Sequence, residues 1–314
     1  MKTVFLFSVI LWSLSSAAES PISFNKEGNC RMDLEDPYSP DARMPGNGPY
    51  AGQCLDTRGV RAIQILDSQL LNKFQTAARP GSIIVANFKH NHQFWIAEIP
   101  TSEIKEVFMQ QEVGKENIPI HHQARFVFNE GKGIRLFPQK KSQEAQFKEP
   151  VLVKDFVVTA IGLRPAELAG TPFSPLKGLK KSYGQGIGFA SMDDTWKYDT
   201  LPLEHDLLQF RLKMTDKQKE KLVKFYIKRS DKVRESLEYH SVYENCVSEL
   251  FQGFAKVAKV QKPFSGKWTN AKGDTQYVPW NTLEKLKLYN LIDDEYGSRI
   301  SNISVEYKDR QATK

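Results

Sequence analysis

Apolar residues at three- and four-residue spacing predict four helices in this chain. In residues 243–258 (YENCVSELFQGFAKVA) the stripe is Val247, Leu250, Phe251, Phe254 and Ala258. In residues 215–228 it is Leu222, Val223, Tyr226 and Ile227, with Thr215 and Gln218 spaced as a capping box. Residues 60–77 place Ile63, Leu66, Leu70 and Phe74 on one face, and Arg79-Pro80-Gly81 ends that element. Residues 282–292, with Asn281 and Glu284 as caps, supply the fourth.

Strand patterns fill the middle. Residues 83–88 and 94–99 read as a hairpin whose tip is residues 89–93. After a polar connection, residues 123–129 and 134–137 flank Glu130-Gly131-Lys132-Gly133 and predict a second hairpin. Residues 151–161 (VLVKDFVVTAI) are apolar enough for a central strand. Residues 163–183 read as a long surface connection, and Gly184–Gly188 as a flexible turn, lacking the strand and spacing of a dinucleotide fingerprint. Ile303, Val305 and Tyr307 alternate in a last strand. The sum is an α+β fold, a mainly antiparallel sheet with packed helices.

The first residues read as a targeting signal. A charged start, the apolar run of residues 3–14 and the small residues Ser16-Ala17-Ala18 predict a secretory signal peptide over residues 1–18. Residues 19–79 then form an arm and a helix, and residues 80–314 the main α+β domain. No later run has the length of a membrane helix. A formal charge of +7 suits an anionic setting such as lipid head groups or cell-wall polymer, and export argues against nucleic acid as a partner.

Export also bears on the three cysteines, because an oxidising compartment pairs thiols. Cys30 and Cys54 flank a stretch rich in turn formers and are the natural disulfide. Cys246 is then left as a free thiol. It follows Asn245, a good N-cap residue, and falls at the first helical position. There the partial positive charge of the helix end favours thiolate, the reactive form.

A thiol nucleophile needs a base within reach. Of six histidines, His121 and His122 are the best placed, opening a strand that can pack under the cysteine helix. Neighbours on a strand point to opposite faces, so at most one of the two should meet the sulfur. His90-x-His92 with a third imidazole is the alternative, a zinc set, but neither HExxH nor a paired CxxC is present. No metal and no other cofactor is expected, and no GxSxG points to a serine hydrolase.

The order of motifs resembles the Lnb N-terminal periplasmic domain family. The resemblance is carried by His121-His122-Gln123-Ala124-Arg125-Phe126, Ile134-Arg135-Leu136-Phe137-Pro138-Gln139, residues 206–218 (DLLQFRLKMTDKQ), Tyr243-Glu244-Asn245-Cys246 and Val278-Pro279-Trp280-Asn281-Thr282-Leu283. It spans roughly residues 80–295. It implies a permuted papain-like, NlpC-type fold, Cys246 as nucleophile, His121 ahead of His122 as base, and acyl transfer of the kind that N-acylates bacterial lipoproteins. The expected function is a thiol acyltransferase or hydrolase of the bacterial envelope, with Asn245 beside the oxyanion. Its substrate would be a lipid, lipoprotein or cell-wall peptide, with peripheral contact to anionic membrane. The alternative is a non-catalytic envelope binding or scaffold protein.

Overall fold

The computed structural model describes residues 28–114, 119–241, 243–258, 282–288, 290–292 and 299–300. The expected signal peptide, the cap Asn281 and the strand around residues 303–307 lie outside them. The strands are β1 (Gln64–Leu66), β2 (Ser82–His90), β3 (Gln93–Pro100), β4 (Ile104–Val113), β5 (Pro119–Phe128), β6 (Ile134–Phe137), β7 (Val151–Val153), β8 (Asp155–Leu163), β9 (Tyr183–Ser191), β10 (Asp206–Arg211), β11 (Leu237–Tyr239) and β12 (Arg299–Ile300). The α-helices are α1 (Lys141–Glu144), α2 (Pro175–Leu179), α3 (Met192–Asp194), α4 (Asp216–Val233), α5 (Cys246–Ala258) and α6 (Thr282–Leu288). Among the described residues no helix is long and apolar enough to cross a membrane.

All the strands join one sheet in the order β12, β10, β4, β5, β8, β9, β2, β3, β6, β7, with β1 on β2 and β11 on β9. The fold is α+β, and among the described residues every strand pair is antiparallel except β2 with β9. The sheet is therefore mainly antiparallel, as its alternation predicts. One core cluster joins β4, β5, β8 and β9 to α4 and α5 through Val107, Met109, Ala124, Phe126, Val158 and Phe189.

Helix α4 forms where its capping box predicts. The Thr215 side chain accepts from the Gln218 amide and the Gln218 side chain reaches back. Leu222, Val223, Tyr226 and Ile227 are fully buried, each stabilising by up to about 1.5–3 kcal/mol. Gly253 lets α5 press on α4, since a Cβ there would lie 2.5 Å from the Tyr226 hydroxyl. That hydroxyl donates to the Leu250 carbonyl at 2.6 Å. The helix that Cys246 opens is thereby fixed against α4.

Four local expectations are corrected. Residues 60–77 are not one helix: β1 pairs with β2, and Ser68–Phe74 is a 3-10 helix capped by Asp67. The amides of Ile63 and Ile65 donate to Ser230 Oγ and Asp231 Oδ1, both at 3.1 Å. These bonds, with two β-branched residues, hold the backbone extended. Leu66, Leu70 and Phe74 still share one apolar cluster, which is why their spacing looked helical. Strands β5 and β6 exist but do not form a hairpin; β5 pairs with β4 and β8, β6 with β3 and β7. The polar connection before them contains β4, a ten-residue strand. Finally, Gly184–Gly188 is no turn but the middle of β9. Its glycines bare one face of the strand, so Leu55, Leu163 and Val60 lie directly on the backbone of Gly184, Gly186 and Gly188.

Candidate active site

The site begins at the start of α5. Asn245 Oδ1 accepts from the Ser248 amide at 3.0 Å and Ser248 Oγ accepts from the Asn245 amide at 2.9 Å, a reciprocal cap. Asn245 Nδ2 donates to the Ser241 carbonyl at 2.9 Å. Both ends of the Asn245 side chain are thus committed to the backbone around the helix start. Cys246, buried and the free cysteine, is the first helical residue. One turn on, buried Glu249 pairs with Arg229 at 2.8 Å, tying the helix to α4.

Strand β5 carries the histidines to the cysteine. Burial by itself pushes the Cys246 thiol up. The charge and hydrogen bond of His121 outweigh it, and with a further pull from His122 they bring the thiol down to about 5. His121 moves the other way. Burial would lower it, but the facing Cys246, with Glu112 and Asp199 nearby, raises it to about 9. Both shifts favour the same ion pair, thiolate and imidazolium.

His121 and His122 are consecutive residues of β5, opposite Glu112 and Gln111, and of the two His121 exerts the larger pull on the Cys246 thiol. Strand β5 slips register between His121 and Pro119, leaving Ile120 as an extra residue opposite β4. Such a bulge re-aims the side chains beside it. The two rings have different surroundings. His122 is fully buried, its Nε2 lies 3.2 Å from Thr282 Oγ1, and its Nδ1 has no partner of hydrogen-bond geometry among the described residues. His121 Nε2 lies 2.5 Å from Thr159 Oγ1. Because the Thr159 hydroxyl donates to the His122 carbonyl at 3.4 Å, it accepts from the Nε2–H of His121. That holds the His121 ring against β8.

Thr159 is a site residue that periodicity alone does not reveal; its trace in the sequence is a lone hydroxyl in the apolar run of β8. Asp199 is another. It lies in a π-helix, Thr195–Thr200, a rare form that recurs at functional sites. Burial raises its pKa, opposed by Lys89, whose ammonium is 3.9 Å away. Its side chain is nevertheless 52% exposed, so it is open to solvent. Glu112 holds His205 at 2.7 Å beside it. Tyr239 closes another side: its pKa is raised by burial and by the charge of Cys246.

The remaining histidines lie elsewhere. His90 Nδ1 is 2.8 Å from Ser191 Oγ, the His92 amide donates to Asp194, and His240 stacks on Tyr243. Among the described residues no three His, Cys, Asp or Glu side chains are grouped to hold a metal ion. Cys30 and Cys54 form a disulfide.

No curated protein and no solved structure matches the chain. A family model does match: residues 146–286, the segment carrying Thr159, Asn245 and Cys246, fit that of the Lnb N-terminal periplasmic domain.

Proposed function

We propose that this chain is a thiol-dependent acyltransferase or hydrolase of the bacterial envelope, acting on an ester or amide carbonyl. The observation that carries the reading is Cys246 at a capped helix start with its thiol drawn down to about 5 by His121. The periplasmic family match supports the location. A cysteine helix packed on the strand that bears the histidine is also what a permuted papain-like, NlpC-type fold requires.

In this mechanism the Cys246 thiolate attacks the carbonyl carbon, and the carbonyl π electrons move to oxygen. Amides at the start of α5, Val247 among them, stabilise that oxyanion. As the intermediate collapses, the bond to the leaving group breaks and the His121 imidazolium gives it a proton. A thioester remains on Cys246. His121, now neutral, takes a proton from an incoming amine or water, which attacks the thioester and releases the thiolate. Thr159 and Asn245 are positioning residues: one holds the His121 ring, the other the helix start. Lipoprotein N-acylation is the finer reading of the transfer, with lipid, lipoprotein or cell-wall peptide as the substrate classes.

Intact mass spectrometry after incubation with envelope extract tests this. A fatty acyl adduct on Cys246 is expected, absent in Cys246→Ala and too slow to detect in His121→Ala. A peptidyl adduct would move the substrate to the cell wall. No adduct under any condition would leave a binding protein instead.

A further inference from the structure

We infer that the face around α2 is a membrane-docking surface that presents an anionic bilayer to Cys246. Apolar side chains stand out of the protein there: Phe173 is 40% exposed, Leu176 59%, Leu179 44% and Tyr243 51%. Exposed apolar residues scattered singly need no explanation, but a contiguous group does.

The structure ties these four together. Ser241 Oγ donates to the Pro175 carbonyl at 2.8 Å, and Gly178 leaves room for that hydroxyl, since a Cβ there would lie 2.0 Å from it. The turn bearing Tyr243 is thereby clamped to α2. The same Ser241 accepts from Asn245 Nδ2 at 2.9 Å, so the patch is two bonds from the start of α5. Phe173 packs edge-on against Tyr239 with ring centres 5.6 Å apart, and Tyr239 precedes by a few residues the turn that leads to α5. The exposed patch is thus packed onto the segment that leads into α5.

Charge identifies the occupant. Lys177 and Lys180 flank Leu179 and take part in no ion pair among the described residues, whereas Lys181 is committed to Glu238 at 2.7 Å. Exposed leucines interleaved with unpaired lysines are the composition of an interfacial element, which sinks its apolar side chains among acyl chains and sets its ammonium groups at anionic phosphates. A protein partner would explain the leucines without using the lysines. The inference rests on the acyl-transfer reading for its substrate and names the surface from which that substrate arrives.

Sedimentation of the whole chain with phosphatidylethanolamine vesicles containing phosphatidylglycerol is the test. Leu176→Ser with Leu179→Ser, and separately Lys177→Glu with Lys180→Glu, should each weaken binding roughly tenfold or more. Cys246→Ala should bind like the parent, as should a control pair, Val151→Ser with Leu152→Ser, on exposed β7 at the other edge of the sheet. Circular dichroism and the pH profile of Cys246 alkylation check that the patch variants fold. Equal binding by parent and both patch variants overturns the inference, as does equal loss in the control. Failure of the two proposals is distinguishable. Loss of vesicle binding with a reactive Cys246 sinks only the docking surface; an unreactive Cys246 on a chain that still binds sinks only the chemistry.

Discussion

Replacing His121 by Gln should return Cys246 to an ordinary thiol, and the size of the effect depends on the pH at which it is measured. With its pKa at about 5, roughly nine-tenths of Cys246 is thiolate at pH 6, against about one part in a thousand for a thiol at the reference value of 9.0. Intrinsic nucleophilicity falls with thiol pKa at a slope of about 0.4–0.5, which returns about 40- to 100-fold of that advantage. The parent should therefore react with iodoacetamide roughly ten- to twentyfold faster than an ordinary thiol at pH 6, while at pH 7 the two effects nearly cancel. The pH profile, rather than one rate, is the measurement. The parent rate should rise through a midpoint near pH 5 and then level off, because a depressed thiol loses its charge only as pH falls through its own pKa. In His121→Gln the imidazolium is gone while burial still pushes the thiol up, so the midpoint should move to the ordinary value or above. His122→Ala, which removes the smaller pull, should move it less. A parent midpoint near that of a free thiol, or a His121→Gln midpoint still near 5, would refute the ion pair.

Thr159→Val leaves the His121 Nε2–H without its acceptor. Turnover should fall about tenfold or more with KM little changed and recover in Thr159→Ser, since a lost hydrogen bond from a charged group is worth about 1.5–3 kcal/mol. Asn245→Ala removes the cap of α5 and should cost about 1 kcal/mol in urea denaturation. The same variant should raise the Cys246 midpoint, because the helix start is less firmly held against the sulfur. Replacing Cys30 and Cys54 by Ser opens a loop with a sequence separation of 24. The loss should be about 3 kcal/mol of stability, read from the denaturation midpoint without and with reductant.

What could be read in advance depended on whether neighbours along the chain supply the energy. The cap of α5, the capping box of α4 and the buried stripes of both helices use partners three or four residues away, so spacing alone places Cys246 at a helix start. The pairing of Cys30 with Cys54 followed from number and compartment. The α+β class followed from helical and strand periodicities that do not overlap.

The rest was decided by distant partners. Residues 60–77 carry a helical spacing, yet Ser230 and Asp231 of α4 hold part of them extended. The glycines of β9 look like a turn until Leu55, Val60 and Leu163 are laid on their bare face. The pull of His121 and His122 on Cys246 depends on how β5 packs under α5, a contact between elements far apart in the chain. Thr159 and Asp199 entered the site from β8 and a π-helix that local spacing does not connect to Cys246. Local sequence thus set the place of Cys246 at the start of its helix, through bonds spanning a single turn. Its ionisation was left to the tertiary structure, because that is fixed by burial and by charges far apart in the chain.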